Sequence, residues 1–400
     1  MKILHTSDWH IGKVLYSKKR YDEFEKFLSW MIDTINDQKI DILLISGDIF
    51  DTSTPSNRSV ELYFNFLNSV AKNSSCKHVV ITAGNHDSPS FLEAPKMILK
   101  SLNTYIVARI DDIKDEVLKL CVGDEEIIVC AVPYLRDRDL RESAFGESIE
   151  DKEQKIVNAI KKHYKDVAEY AKSLQDKSQK IIALGHMFVA GENTKVGDGV
   201  RELYVGSLGY VGIDIFDDSF DYVALGHLHI PQYVAKTNHI RYSGSPFAMG
   251  FNEAKQKKSV TILDINDDDI KTEILEVPTF QKLVQIKGDL LYIKDSLQTI
   301  IKEDRSIWVE IIYEGKEIVS DLNTMIQDMV DETKVEVLRI KSKTYIKRAL
   351  SKSKECVSLE DMDLYEVFDK CLELNEIEDK QKDELKALYK EIVKDIQEQS

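Results

Sequence analysis

The sequence predicts a layered α/β domain followed by a smaller α/β unit and a helical C-terminal segment. Three observations lead to this. Short apolar runs alternate with longer amphipathic stretches up to Pro278. The pattern then shortens to a compact strand–helix–strand–helix–strand succession. Beyond Lys343 the chain becomes charged, with apolar residues at helical spacing.

In the first part, residues 1–278, strands are expected at Lys2–Thr6, Asp41–Ser46, His78–Thr82, Ile127–Val132, Lys180–Leu184, Asp221–Leu225 and Ile240–Ser243. Several are nearly continuous in Ile, Val and Leu, which suits strands buried on both faces. Between them, Tyr21–Gln38 and Ser59–Lys72 read as helices, and the alternation argues for layers of helix and sheet. Residues 279–345 read as strand Lys282–Ile286, helix Leu290–Ile301, strand Ile307–Ile312, helix Ile318–Val330 and strand Val335–Ile340. In residues 346–400, Leu385, Leu388, Tyr389, Ile392, Val393 and Ile396 form a helical stripe that packs on the protein's own body or on a partner helix.

Bulk composition narrows the function classes. No apolar run reaches the roughly 18 residues of a membrane span, and the N-terminus MKILHTSDWH lacks the apolar core of a secretory leader, so a cytoplasmic location is expected. The five cysteines have no close pairing and suggest neither a disulfide framework nor a zinc cluster. The net charge of −16 argues against wrapping nucleic acid by charge alone. Bound cations or a basic partner would offset it locally.

Five short segments hold the chemistry: Asp8-Trp9-His10, Gly47-Asp48, Gly84-Asn85-His86-Asp87, Gly185-His186 and Gly226-His227-Leu228-His229. Each follows an apolar strand, and ligands of open α/β sheets bind beyond the carboxyl ends of strands. Packing alone does not explain gathering these polar groups, because buried polar atoms need partners. Carboxylate, amide and imidazole donors suit Mn²⁺, Fe or Zn²⁺, with Mg²⁺ less favoured by the imidazoles. Seven candidate ligands (Asp8, His10, Asp48, Asn85, His186, His227 and His229) exceed the needs of one ion. Two ions about 3.5–4 Å apart could clamp the attacking and leaving oxygens of a phosphoryl displacement. Asp48 is the best bridging carboxylate.

These segments, in this order, resemble the calcineurin-like metallophosphoesterase signature. Thr6–Gly12, Gly47–Asp51, Gly84–Ser88, Tyr204-Val205-Gly206, Gly226–His229 and Tyr242–Pro246 narrow the resemblance to the bacterial SbcD nuclease family. The resemblance implies a layered β-sandwich flanked by helices, a capping domain at 279–345 and an SbcC-binding helical region at 346–400. It implies one metal on Asp8, His10, Asp48 and His229, and a second on Asp48, Asn85, His186 and His227. His86 would face the scissile phosphate and protonate the leaving oxygen, while Asp87 either orients His86 or serves structure alone. The implied cofactors are two divalent ions, Mn²⁺ foremost. The implied activity is 3′–5′ exonuclease on duplex DNA and endonuclease on single-stranded and hairpin DNA, in DNA repair, replication and recombination. The implied partners are DNA and the ATPase SbcC, with a homodimer inside a heterotetramer. The helical stretches Val60–Lys72 and Glu93–Leu102 are candidates for the dimer interface, against a reading as core packing.

Lys13, Lys18, Lys19 and Arg20, and separately Arg136, Arg138 and Arg141, are basic clusters able to hold phosphates or simply to face solvent. The alternative function is a metallophosphoesterase acting on nucleotides or phosphoproteins, since the metal motifs are shared across the superfamily. A scaffold that has lost catalysis would lack a ligand or His86, and none is missing.

Overall fold

The computed structural model describes residues 1–140, 149–176, 179–189, 211–266, 269–315, 319 and 321–342, with 372, 385, 386 and 389 beyond them. The chain divides into two compact units, one of Met1–Gln285 with Arg305–Val309 and one of Ile286–Asp304 with Glu310–Ser400.

Two six-stranded sheets build the first unit. One runs in the order Ile270–Glu276, Ser259–Ile265, Lys2–Thr6, Ile42–Ser46, His78–Thr82, Thr104–Val107. The other runs Gln232–Tyr233, Ile240–Tyr242, Tyr222–Gly226, Ile181–His186, Glu125–Ala131, Val117–Val122. In each, four neighbouring strands are parallel; antiparallel strands extend the first sheet on one side only, leaving the parallel Thr104–Val107 at its other edge, and close both edges of the second. Because the side-chain period of a strand is two, each buried strand feeds two cores. Ile3, Ile42, Leu44 and Val80 from one sheet meet Val129, Ile182, Leu184 and Ala224 from the other, forming the sandwich interior.

The opposite faces are covered by helices. Tyr21–Asp37 places Phe24, Phe27, Leu28, Met31 and Ile35 on one side, the i, i+3, i+4, i+7 stripe of a helix lying on a sheet. Burying each such side chain contributes about 1.5–3 kcal/mol. The helix Asn57–Asn73 adds Leu62, Tyr63, Phe66, Leu67 and Val70 to that core, and the Ser56 hydroxyl caps its first turn. The helix Ile149–Leu174 covers the second sheet with Ile156, Ile160, Tyr164, Val167 and Ala171. The expected sandwich flanked by helices is therefore the architecture of this unit.

A three-stranded sheet follows in the order Lys282–Gly288, Ile307–Tyr313, Val335–Ser342, with the helices Leu290–Ile301 and Leu322–Val330 between its strands. Asp289 caps the first of these helices through the Tyr292 amide. The second begins at Leu322, four residues after the expected Ile318.

Some expectations need correction. Glu93–Leu102 is not one helix but Pro89–Glu93 and Lys96–Lys100, because Pro95 cannot supply the amide hydrogen that an interior helical position donates. Val60–Lys72 is occupied with core packing, whereas Met97 and Ile98 on the short helix are 82% and 72% exposed. Tyr204–Gly206 and most of the C-terminal stripe lie outside the described residues. Among the described residues, no helix is long and apolar enough to cross a membrane.

Candidate metal centre

All five motif segments leave their strands at one end of the sandwich, where the two sheets face each other. Asp8 and His10 follow Lys2–Thr6, Asp48 follows Ile42–Ser46, and Asn85 and His86 follow His78–Thr82. His186 closes Ile181–His186 itself, and His227 and His229 follow Tyr222–Gly226. The first two turns are zipped together. The amides of Asp8, His10 and Ile11 donate to the carbonyls of Gly47, Asp48 and Ile49 at 3.1, 3.0 and 2.9 Å.

The turns carry unusual backbone. Asp8, His10, Asp48 and His227 have φ of 53°, 49°, 52° and 99°, the left-handed region that L-residues avoid. Such conformations cost on the order of 1–3 kcal/mol each and persist only where surrounding structure imposes them. Gly226 is required for another reason: a Cβ there would drive into the Ser46 carbonyl oxygen and crowd the His186 ring.

The donor atoms converge. One Asp48 oxygen, Oδ2, lies 3.5 Å from His10 Nε2 and 3.4 Å from His186 Nε2. The other, Oδ1, accepts the His86 amide at 2.9 Å. On one side His10 Nε2 and His229 Nε2 approach to 3.1 Å, with Asp8 grouped beside them. On the other, Asn85 Oδ1 lies 3.1 Å from His186 Nε2 and 3.0 Å from His227 Nδ1. All seven candidate ligands are thus brought together around Asp48.

The donor chemistry fits divalent cations. Two imidazole nitrogens facing each other at 3.1 Å must share a proton or a cation. The remote ring nitrogens are also held, as in metal-ligating histidines. His186 Nδ1 donates to the Ser46 carbonyl at 2.9 Å, and His229 Nδ1 donates to Glu253 Oε1 at 3.1 Å. His10 Nδ1 has the looser partner, Asp51 Oδ1 at 3.5 Å.

Electrostatics follow from this crowding. Burial raises the Asp48 carboxyl, but the His186, His10 and His86 rings outweigh it and hold Asp48 well below the usual range. Burial lowers His186, but Asp48 and Asp8 reverse the shift and raise it to about 9. Burial, then its neighbour His186, pushes His227 down to about 3, and burial also lowers His10.

The sequence leaves Asp87 with two roles, and the contacts favour one. Its buried carboxylate accepts from Gly84 at 2.8 Å, Phe50 at 3.0 Å and Ile49 at 3.1 Å, all backbone amides. His86 Nδ1 instead donates to the Asp51 carbonyl at 2.8 Å. The orienting group for His86 is thus the backbone of Asp51, and Asp87 staples the loops that carry Asp48 and Asn85. Asp51 received no role from the sequence, although its carboxylate also pairs with Lys13 at 2.9 Å. Glu253 gave no signal at all, since neither its spacing nor its neighbours set it apart from a solvated acid.

Two of the basic residues are occupied with structure. Arg20 is buried, pairs with Glu23 at 2.7 Å and covers the Phe247 ring, so it is no phosphate contact. Arg136 donates to the Asp87 carbonyl at 2.9 Å and braces the loop. Arg141 and the side chain of Arg138 lie outside the described residues.

Residues 1–231 match the calcineurin-like phosphoesterase family. Residues 279–376 match a family described as the type 5 capsule protein repressor C-terminal domain. The chain is similar to the SbcD component of the SbcCD nuclease of Escherichia coli K12, with 32% identity over 393 residues covering 97% of each chain. It is also similar to the SbcCD nuclease components of the same name from Bacillus subtilis, at 32% identity over 66% of each chain, and from Rhodobacter capsulatus, at 31% over 66% of each. A match of this extent, running through both units, means that the chain belongs to the calcineurin-like phosphoesterases and, within them, to the SbcD family of SbcCD nuclease components.

Proposed function

We propose that this chain hydrolyses DNA phosphodiester bonds at a site holding two divalent cations, as the nuclease component of a complex with an SbcC-type ATPase. The observation that carries the reading is the position of Asp48 Oδ2, 3.5 Å from the ring nitrogen of His10 and 3.4 Å from that of His186. An oxygen so placed between two donor clusters suits a bridging ligand. One ion would be held by Asp8, His10, Asp48 and His229, and the other by Asp48, Asn85, His186 and His227. Bound ions supply Lewis acidity that polarises the phosphate and makes water acidic enough to attack near neutral pH. Mn²⁺ is the proposed ion, since the mixed oxygen and imidazole set suits it better than Mg²⁺.

The remaining work falls to the protein. His86 is the proposed general acid: its Nδ1 is anchored on the Asp51 carbonyl, which leaves Nε2 to deliver a proton to the leaving oxygen. Its ring lies 4.8 Å from that of His10 and nearly at right angles to it, and with His10 and Asp48 it forms a group of donors close enough to share an ion, so the proposal assigns its Nε2 to the leaving oxygen rather than to a cation. Asp87 and Arg136 keep the loop in place, and Asp51 orients both His86 and His10. The net charge of −16 favours a DNA affinity supplied largely by the cations, a second copy and the ATPase partner.

Three functional segments are proposed: nuclease residues 1–278, capping residues 279–345 and an SbcC-binding helical region at 346–400. The exposed Met97 and Ile98 of the helix Lys96–Lys100, with Leu102 just beyond it, support a homodimer through this surface, within a cytoplasmic heterotetramer. The test is digestion, with Mn²⁺, of end-labelled duplex, single-stranded and hairpin DNA beside a small phosphodiester, with and without the ATPase and ATP. Cleavage of DNA, enhanced by the partner and ATP, is expected. Hydrolysis of the small ester or of nucleotides alone would overturn the reading.

A further inference from the structure

Behind His229 lies an ion pair that the hydrolytic reading does not use. Glu253, at the end of the short turn Phe251–Glu253, is fully buried, and Lys258 is 6% exposed. Glu253 Oε1 accepts His229 Nδ1 at 3.1 Å. Its Oε2 accepts Lys258 Nζ at 2.6 Å and the Met249 amide at 3.0 Å. Lys258 Nζ also donates to the His229 carbonyl, to Ser245 Oγ and to Gln256 Oε1, each at 2.9 Å. The chain of contacts therefore closes on itself. Lys258 grips the backbone of His229 while holding the carboxylate that grips its ring.

Burying two opposite charges is costly unless each is fully hydrogen-bonded, and breaking such a pair leaves an uncompensated charge. Hydrophobic residues of similar volume would serve packing as well. What they could not do is choose a tautomer. A carboxylate facing Nδ1 keeps the proton on that nitrogen and leaves the Nε2 lone pair free, and Nε2 is the atom 3.1 Å from His10 Nε2. Gly244, with φ of 77°, permits the same close approach, since a Cβ there would press on the His229 carbonyl oxygen at 2.7 Å.

We infer that Glu253, held in place by Lys258, is a positioning residue that fixes the tautomer and direction of His229 toward the first cation. The inference rests on the two-cation reading above. Glu253→Gln keeps the size but can turn its amide NH₂ toward Nδ1, which admits the tautomer with the proton on Nε2. Groups that orient metal-ligating histidines typically change affinity by about 10–100-fold when lost.

Mn²⁺ is titrated calorimetrically into the metal-free full chain, as wild type, Glu253→Gln and Glu253→Asp, with melting followed in parallel. The wild type takes up two ions. Glu253→Gln weakens one site about 10–100-fold and leaves the other unchanged, and Glu253→Asp, which keeps the carboxylate, falls between. A folded Glu253→Gln that binds both ions with wild-type affinity overturns the inference, including when its melting temperature falls. A wild type that binds fewer than two ions sinks the two-cation reading instead. If Glu253→Gln does not fold, nitrogen-15 spectra of the metal-free wild type decide, with His229→Gln used for assignment. A proton on His229 Nδ1 supports the inference, and one on Nε2 overturns it.

Discussion

Replacing Asp87 by asparagine exchanges one carboxylate oxygen for an NH₂ group and separates a structural from a catalytic role. Oδ2 accepts two backbone amides, Gly84 and Ile49, whereas Oδ1 accepts one, Phe50. The least costly arrangement keeps oxygen at the Oδ2 position and turns NH₂ toward the Phe50 amide. Two donors then face each other in a site that is 2% exposed, with no acceptor between them. Each unsatisfied buried donor costs about 1–3 kcal/mol, so the pair costs about 4 kcal/mol. The usual conversion is about 2–4 °C per kcal/mol for domains of about 150–250 residues and falls with size, so at its lower end, suited to this larger unit, the melting temperature falls by about 8 °C. His86 keeps its anchor on the Asp51 carbonyl. The folded variant, assayed well below its melting point with saturating Mn²⁺, therefore cleaves DNA within a few-fold of wild type. Thermal melting and initial-rate cleavage of labelled DNA read the two quantities separately. An unchanged melting temperature with a loss of about 10²–10⁴-fold in rate would show that Asp87 acts through His86, and would refute this account.

Other perturbations bear on the same site. His86→Asn keeps two bound ions, measured by elemental analysis, but loses about 10²–10⁴-fold in cleavage, the usual worth of general acid–base help. Gly226→Ala forces the Ser46 carbonyl and His186 ring apart, which destabilises the fold by about 3 kcal/mol through overpacking and weakens ion binding. Wild-type melting and metal content in that variant would contradict the packing described. The pH dependence of ion binding follows from His186. Its ring, raised to about 9, carries a proton below that pH, and a ligating imidazole must be neutral. Mn²⁺ binding at about pH 7.5 therefore releases about one proton, and affinity rises with pH until the ring loses its proton unaided near 9. Calorimetry in buffers of different ionisation enthalpy measures this release. An affinity that stays flat between about pH 6.5 and about pH 8.5 would contradict it.

What can be read from the sequence is what local chemistry dictates. Runs such as Ile42–Ser46 and Tyr222–Gly226 are apolar on both faces, so they announce buried parallel strands, and the polar residue after each marks the end where strands deliver ligands. The strand Ile270–Glu276 leaves no comparable trace, because it edges a sheet and much of it faces solvent. The break at Pro95 is visible in principle but is masked by the apolar pattern around it. Asp87 is ambiguous in sequence because its neighbour there is His86, while its partners Ile49 and Phe50 come from another strand's turn. Glu253 and Lys258 sit in a charged stretch that resembles any surface loop. Only the folding of Ser259–Ile265 against Lys2–Thr6 buries them beside His229.

The central claim is that Asp48 is shared by two cations. Crystals of the chain grown with Mn²⁺, with diffraction recorded at the manganese absorption edge, test it directly. The account predicts two anomalous peaks about 3.5–4 Å apart with an Asp48 oxygen between them. A single peak, or two peaks neither of which touches Asp48, would contradict it.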